Sequence, residues 1–308
     1  MEKILKQVLS LIPFLFVILI IVKVTPFLVS KYKNKVVTKE EYSNKERTPV
    51  QTFPTEEINA GTSSLESANH NKEERVVPDK EEKHLFTYIE IINSCGPYYK
   101  GVCVNVRASS TTQSKAITKL RNGIILKVKE KVVHGDETWY KITFEDEWLR
   151  HKERITTDWF VSGEFARAFE DQGIKQLKPN EATSTKYIIV DRTHQKLYAY
   201  DGKTLFMKEK ISTGIEMTPT PRGVFTIYKK TPSRYMQGPI LGVSDQIYDL
   251  PGVPWNLYFS NEGAVIHGAY WHDKFGQKWS HGCVNLSQEA AEKLYTWADT
   301  GVKVIVRD

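Results

Sequence analysis

The stretch EGAVIHGAYWHDKFGQKWSHGCVNL, residues 262–286, combines a short apolar strand, a polar loop rich in aromatic residues, and a cysteine that follows a glycine. The strand ends at His267, and the loop leads to Ser280 and Cys283. Two short segments joined by one loop can bring the His267 imidazole within hydrogen-bond distance of the Cys283 thiol. An imidazolium beside a cysteine stabilises the thiolate, which is the nucleophilic form. The pattern therefore predicts a catalytic pair of Cys283 and His267 at the mouths of two short segments joined by one loop.

The two residues just before Cys283 are compatible with a role of this cysteine as a nucleophile. Gly282 has no Cβ, so a substrate carbonyl can approach the backbone there. The amides of Gly282 and Cys283 are candidates for an oxyanion hole, in which each donor contributes about 3 kcal/mol. His281 shares the Cys283 side of an extended segment, so we expect it to tune the site or contact substrate.

The surrounding sequence predicts a mostly β domain over residues 180–308. The segments KYIIVD, KLYAYD and FMKEKIST are typical of consecutive hairpins. The turn PTPRG, residues 219–223, separates two further strands, because proline fixes φ and glycine accepts a positive φ. Downstream, Ser287 is a candidate N-cap for one helix that stops at Gly301, and the strand VKVIV closes the chain.

This region resembles the signature of L,D-transpeptidases with a YkuD-type domain, through the pair His267-Gly268 and the segment SHGCVN at residues 280–285. The upstream stretch ISTGIEMTPTPRGVF is similar to the strand-turn-strand unit of that family. The resemblance covers about residues 184–308. It implies a β-sandwich-like catalytic domain with the cysteine and histidine at one end.

The same resemblance implies the chemistry. Cys283 attacks the carbonyl between the third residue and the D-Ala of a peptidoglycan stem tetrapeptide, D-Ala leaves, and a thioester acyl-enzyme forms. His267 activates the thiol and moves protons, while the Gly268 carbonyl orients its ring. A side-chain amine of a second stem resolves the thioester, which gives a 3→3 cross-link in cell-wall biogenesis.

The resemblance also implies how substrate is held. Asn285, Ser280 and the backbone near Gly263 are the predicted substrate-binding groups. No metal or organic cofactor is implied, because thiolate and imidazole suffice for the reaction.

Other outcomes stay open at this stage. Water can resolve the same acyl-enzyme, which makes an L,D-carboxypeptidase, or a protein amine can do so, which anchors a protein to the wall. A zinc hydrolase with His267, His281 and Cys283 as ligands is a more distant alternative. A wall-binding protein without activity is another.

Loop residues near the site have two interpretations each. We expect His272, between a tryptophan and an aspartate, to be a solvated loop residue rather than a catalytic one. The aromatic residues near the motif line a peptide cleft or pack within their loops; these are Tyr270, Trp271 and Trp279. Tyr235 and Met236 lie on a flap over the cleft or pack in the core.

Residues 85–170 predict a separate small β-domain. Short runs such as FTYIEIIN and TWYKITF alternate with turn segments, as in a small barrel or sandwich. The stretch VNVRASSTTQSKAITKLRNGIILKV resembles a bacterial SH3-like domain, which implies binding of cell-wall peptides or a spacer role. On this interpretation, removing the domain lowers wall retention more than turnover of a soluble peptide.

Cys95 and Cys103 flank the turn GPYYKGV of this domain. Outside the cytoplasm, two cysteines this close are expected to form a disulfide, which leaves Cys283 as the free thiol. Two unpaired core thiols are the alternative.

The N-terminus predicts export. Residues 1–34 contain the apolar run VLSLIPFLFVILIIV with lysines on both sides, which fits a transmembrane anchor or a cleaved signal peptide. Residues 35–84 are polar and aperiodic, which predicts a disordered spacer. We therefore expect a single-pass protein of a bacterial membrane with its catalytic domain outside the cytoplasm, or a secreted one if the N-terminus is cleaved.

Composition excludes several classes. With 43 basic and 37 acidic residues the net charge is +6, which does not by itself indicate a nucleic-acid partner, and none is expected. Three cysteines are too few for a disulfide scaffold or a cysteine-rich zinc array. The whole chain thus predicts a mostly β protein, with an SH3-like barrel, a sandwich-like catalytic domain with one C-terminal helix, and an N-terminal transmembrane helix.

Overall fold

A computed structural model describes residues 84–144, 149–178, 184–239 and 248–308. The predicted anchor and nearly all of the predicted spacer lie outside these residues. Within the described ranges, no helix has the length and apolarity needed to cross a membrane.

The first module is a single antiparallel sheet of seven strands. They are β1 (Phe86–Ile91), β2 (Val104–Arg107), β3 (Ala116–Leu120), β4 (Ile125–His134), β5 (Glu137–Thr143), β6 (Phe160–Ser162) and β7 (Ala166–Asp171). Their order in the sheet is β3-β2-β6-β5-β4-β1-β7. The β structure predicted for this stretch is confirmed.

A disulfide closes the turn that follows β1. It joins Cys95 to Cys103, with the two Cα atoms 4.5 Å apart, as the spacing of the two residues predicted. Tyr98 and Tyr99 inside this turn have left-handed backbone conformations, with φ of 60° and 58°. The Arg121 guanidinium lies 3.9 Å from the centre of the Tyr99 ring. The turn is therefore held in a defined shape although it lies at the surface.

The second module contains two five-stranded sheets. Its strands are β8 (Lys175–Gln176), β9 (Lys186–Asp191), β10 (Lys196–Asp201), β11 (Thr204–Lys210), β12 (Gly223–Thr226), β13 (Lys229–Gln237), β14 (Asp249–Tyr258), β15 (Val265–Gly268), β16 (Val284–Leu286) and β17 (Lys303–Arg307). One sheet has the order β11-β10-β9-β17-β12 and the other has the order β16-β15-β14-β13-β8. The predicted hairpins are present, because β9, β10 and β11 pair antiparallel in sequence order.

One helix, α1 (Gln288–Trp297), follows β16. The Ser287 hydroxyl accepts a hydrogen bond from the Ala290 amide at 3.3 Å, which is the predicted N-cap. The helix ends before the predicted Gly301, because Ala298 is already extended. At the last helical residue, the Trp297 ring stacks on Phe206 of β11, with ring centres 4.7 Å apart. The helix thus ends where this side chain contacts a strand that is distant in sequence.

Two buried clusters form the interior. One contains side chains of both five-stranded sheets and of α1, including Ile188, Leu257 and Leu294. The other contains the core of the SH3-like sheet, and it continues into the second module through Val253 and Tyr270. The two modules therefore share a hydrophobic core across their boundary.

Polar contacts accompany this shared core. The Ser233 hydroxyl donates to the Ile125 carbonyl at 2.5 Å, and the Gln288 side-chain amide donates to the Asn122 carbonyl at 2.9 Å. Gly252 has φ of 61°, and a Cβ added there lies 2.4 Å from the Ile125 oxygen. Only glycine allows the two backbones to approach this closely.

Candidate active site

The pairing of β15 with β16 brings the strand of His267 beside the segment that carries Cys283, but the described residues show no hydrogen bond between the imidazole Nε2 and the thiol. These two strands are parallel, and His267 lies opposite Asn285. Side chains of opposite residues, and of residues two apart along a strand, project from the same face of a sheet. His267 and Asn285 therefore share one face. Cys283 directly precedes β16 and takes a backbone hydrogen bond from Val265, which is two residues before His267.

A strand-like segment after β11 holds the cysteine motif from the other side. Ser212 and Asn285 exchange two backbone hydrogen bonds, each of 2.9 Å. The amides of Trp279 and Ser280 both donate to the Thr213 carbonyl, at 3.0 and 3.1 Å. The ISTG residues of the sequence motif thus position the SHGCVN segment.

The Ser280 hydroxyl closes the turn that leads into Cys283. It donates to the Cys283 carbonyl at 2.5 Å and accepts from the Gly282 amide at 3.2 Å. Gly282 has φ of 117°, a conformation that favours glycine. The second bond occupies the Gly282 amide, which we had expected to contribute to an oxyanion hole. Ser280 is 5% exposed, so its predicted contact with substrate stays a prediction.

His267 is held in the tautomer that a general base requires. Its Nδ1 lies 3.0 Å from the Gly268 carbonyl oxygen, which can only accept, so Nδ1 carries the proton. The Nε2 atom then bears the lone pair. It is buried and has no hydrogen-bond partner within the described residues. A thiol presented to Nε2 can therefore transfer its proton to the ring.

Burial sets the resting charges of the pair. Burial, with a smaller contribution from the nearby Arg234 charge, lowers the pKa of His267 to about 4 against the opposing effect of the Gly268 carbonyl. Burial also raises the pKa of Cys283, although Arg234 and a backbone hydrogen bond from Val265 act in the opposite direction. Both groups are thus neutral at pH 7. This corrects the expectation of a resting thiolate–imidazolium pair, which a desolvated environment disfavours.

His272 is the site residue that we did not anticipate from the sequence. It is 2% exposed, which contradicts the expectation of a solvated loop residue. Its ring packs against Phe275, with ring centres 5.2 Å apart. Its Nε2 lies 2.8 Å from the side-chain amide of Asn285. The aromatic residues on both sides of His272 were the available signal, since they indicate a packed loop.

Two predicted residues lie farther toward solvent. His281 is exposed, and partial burial lowers its pKa. Gly263 lies in an exposed turn before β15, where its amide donates to the Ser260 carbonyl at 3.1 Å. Their roles in catalysis or substrate binding stay predictions.

The aromatic residues divide between packing and exposure. Tyr270 is buried, and its hydroxyl donates to the Pro251 carbonyl at 2.7 Å, so it packs within the protein. Tyr235 is also buried, with Phe144 and Trp159 of the first module around it, which supports core packing over a flap. Trp279 remains 49% exposed.

No group of three or more His, Cys, Asp and Glu side chains in the part of the chain that the structure describes is arranged to hold a metal ion. The zinc alternative needed such a group from His267, His281 and Cys283. These three residues do not form one.

Two domain families match this chain. Residues 185–306 match YkuD, the L,D-transpeptidase catalytic domain, and residues 101–151 match SH3_3, a bacterial SH3 domain. The curated "Probable L,D-transpeptidase 3" of Mycobacterium tuberculosis (strain ATCC 25618 / H37Rv) is 33% identical over 103 residues, which are 32% of this chain and 37% of that protein. The chain thus spans little more than a third of the length of this curated relative.

Solved structures give weaker similarities. An L,D-transpeptidase from Mycobacterium smegmatis is 20% identical with a TM-score of 0.39, over 56% of this chain and 91% of that one. The catalytic domain of the E. faecium L,D-transpeptidase is 28% identical with a TM-score of 0.35, over 42% of this chain and 100% of that one. The domain matches, rather than these superpositions, identify the family: the chain carries a catalytic domain of the YkuD L,D-transpeptidase family, preceded by a bacterial SH3 domain.

Proposed function

We propose that this protein is a cysteine-dependent L,D-transpeptidase that acts on peptidoglycan stem peptides and forms 3→3 cross-links. One observation carries the proposal. The Gly268 carbonyl fixes His267 with its lone pair on Nε2, and the free Cys283 thiol takes a backbone hydrogen bond from Val265, two residues before His267 on the same strand. That is the arrangement that a thiol nucleophile and its base need.

In the first half-reaction the pair starts neutral. Nε2 of His267 takes the thiol proton as Sγ of Cys283 attacks the carbonyl carbon between the third stem residue and D-Ala. The Cys283 amide donates to the oxyanion of the tetrahedral intermediate. Collapse of the intermediate breaks the C–N bond, and the imidazolium returns the proton to the departing D-Ala amine. A thioester on Cys283 remains.

In the second half-reaction a side-chain amine of another stem attacks the thioester carbonyl. Nε2 of His267 accepts a proton from this amine. The C–S bond then breaks, and the imidazolium protonates the departing sulfur of Cys283. The pair is restored in its neutral state and the new amide is the cross-link.

Burial of His267 and Cys283 favours their neutral forms at rest, so the imidazolium of this route is transient. The Arg234 charge disfavours protonated His267 and favours a thiolate, because it acts to lower the pKa of both groups, although burial raises the pKa of Cys283 overall. The charged form of His267 therefore exists only while substrate is reacting. Cys283 is accordingly expected to be a slow nucleophile toward small electrophiles until the pH approaches the thiol pKa.

We further propose that the folded part lies outside the cytoplasm, with the SH3-like domain on the wall polymer and residues 1–34 as anchor or signal. The disulfide between Cys95 and Cys103 supports an oxidising compartment. Labelling of intact cells with a membrane-impermeant thiol reagent tests this placement. Modification of Cys283 is expected, and modification only after lysis would contradict it.

Intact-mass analysis after incubation with a defined stem tetrapeptide tests the function. The wild-type protein is expected to gain the mass of the tripeptide acyl group, with release of D-Ala, and Cys283→Ala is expected to gain nothing. Adding an amine acceptor then gives the cross-linked product. A wild-type protein without an adduct, or an adduct on Cys283→Ala, contradicts the proposal, and release of free tripeptide despite the acceptor indicates a carboxypeptidase.

The two histidines next to the motif provide a matched comparison for the base. His267→Ala is expected to slow acylation by about 10²-fold to 10⁴-fold because the proton acceptor is lost. His281→Ala removes an exposed imidazole and is expected to have a much smaller effect. A larger loss in His281→Ala would overturn the assignment of the base.

A further inference from the structure

We propose that His272 is a positioning residue, whose Nε2–H holds the Asn285 side chain so that Asn285 presents its NH₂ group to the substrate. The proposal rests on the proposed function and concerns how one substrate-binding group is oriented.

The tautomer of His272 follows from its neighbour. The Lys274 amide donates to Nδ1 of His272 at 3.1 Å, so Nδ1 is the acceptor nitrogen. A neutral imidazole with an acceptor at Nδ1 carries its proton at Nε2. Burial, which lowers the pKa of His272 to about 4, keeps the ring neutral at pH 7.

The Asn285 amide must match this tautomer. Its nearer amide atom lies 2.8 Å from Nε2 of His272. With Nδ2 at that place, two N–H donors face each other, and the buried Oδ1 has no partner among the described residues. The oxygen and nitrogen of an amide exchange places by rotation about χ2, and the hydrogen-bond network decides between the two orientations. Oδ1 therefore accepts from His272, and the NH₂ group takes the unpartnered place.

This unpartnered NH₂ group lies at the reaction site. Asn285 is 2% exposed, it lies opposite His267 in the strand pairing, and it is two residues after Cys283. A buried donor without a partner is unfavourable until an acceptor arrives. A peptide carbonyl of a stem bound at Cys283 is such an acceptor.

His272 is itself held in place. Its ring packs between Trp271 and Phe275, and the Lys274 carbonyl accepts from the Ser212 hydroxyl at 2.5 Å. Ser212 also exchanges backbone bonds with Asn285. The loop that carries His272 and the strand that carries Asn285 are thus fastened to one segment, which fixes the distance between the two side chains.

Four variants separate positioning from a structural role. His272→Phe keeps the ring packing and removes the donor, Asn285→Ala removes the group it orients, and the double variant combines them. His272→Gln restores a donor and an acceptor in one side chain. Two rates are measured on each protein, which are acylation by the stem tetrapeptide and alkylation of Cys283 by iodoacetamide.

We expect His272→Phe and Asn285→Ala each to slow acylation by about 10-fold to 100-fold, and the double variant to be no slower than the slower single variant. Alkylation should change by less than about twofold in all of them, because iodoacetamide needs no contact with Asn285. His272→Gln should recover part of the acylation rate. Multiplicative losses in the double variant, or a parallel loss of alkylation, would overturn the proposal.

A measurement that does not need turnover distinguishes failure of the His272 proposal from failure of the proposed transpeptidase function. Nitrogen-15 NMR of the wild-type protein should show the His272 proton on Nε2, and the Asn285 side-chain amide signals should shift in His272→Phe. A proton on Nδ1 overturns the proposal even if acylation occurs. If the wild type forms no acyl-enzyme, the proposed function fails, while the NMR result still decides how His272 and Asn285 are bonded. The same spectra decide the question if His272→Phe does not fold.

Discussion

The two modules contribute different things to the surroundings of Cys283. The candidate reacting groups, Cys283 and His267, belong to the catalytic domain, at the ends of β15 and β16. The SH3-like domain contributes packing behind them. Its core includes Val253, from the strand next to β15, and Tyr270, from the loop that leaves β15.

The SH3-like domain therefore also supports the catalytic domain through the shared core. We expected its removal to lower wall retention more than turnover. The shared core argues otherwise, because removal exposes Val253 and Tyr270 and leaves the loop that bears His272 without support on one side. We now expect turnover to fall as well, since a misplaced His272 affects the site directly.

The largest effect is expected at the closest contact between the modules. Gly252→Ala places a Cβ 2.4 Å from the Ile125 oxygen and should lower the free energy of unfolding by about 3 kcal/mol. Gly202→Ala is the control, because Gly202 has φ of 55° and open space around it, and it should lose only about 1 kcal/mol. Urea unfolding measures both. Equal losses would mean that the contact between the modules contributes little.

Acidification tests whether the two histidines of the catalytic domain, His267 and His272, are buried and neutral. His267 and His272 both have a folded-state pKa of about 4, below the unfolded value, so the unfolded chain binds protons first. Stability is therefore full above about pH 6.5 and falls toward pH 4, by about 1 kcal/mol for each histidine between pH 7 and 5.5. Urea unfolding at several pH values measures this. His272→Phe should remove about half of the slope, and a flat profile in the wild type would contradict the burial of both rings.

The smallest effect is expected at the contact between the disulfide-closed turn and the loop that carries His272 and Asp273. The Tyr98 hydroxyl donates to Asp273 Oδ1 at 3.1 Å at an exposed position. Tyr98→Phe should cost at most about 1 kcal/mol and change acylation by less than about threefold. Tyr99→Phe is the matched control, because Tyr99 is exposed and lies in the same turn. A large acylation loss in Tyr98→Phe alone would show that the SH3-like domain acts on the site through this bond as well as through the core.

The parts of the site that could be predicted are those encoded by local sequence. The strand that contains His267 and the short strand that directly follows Cys283 are each continuous in sequence, and their parallel pairing brings the two residues into one region. The N-cap Ser287 is local for the same reason.

The features that the sequence did not predict depend on contacts between distant segments of the chain. The early end of α1 accompanies the stacking of Trp297 on Phe206, which is ninety-one positions earlier in the chain. The burial of His272 and the neutral state of His267 depend on side chains that pack around them in three dimensions. The aspartate and the lysine that directly follow His272 hid its burial, although the aromatic residues around them indicated a packed loop.

The disulfide in the first module also simplifies chemistry on the whole molecule. It uses two of the three cysteines, so each oxidised chain offers a single sulfhydryl to an electrophile. Titration of the native protein with a stoichiometric thiol reagent therefore counts competent centres directly. Any inhibitor with a reactive warhead selective for sulfur meets one target per polypeptide, and reduction of the protein before labelling removes that advantage.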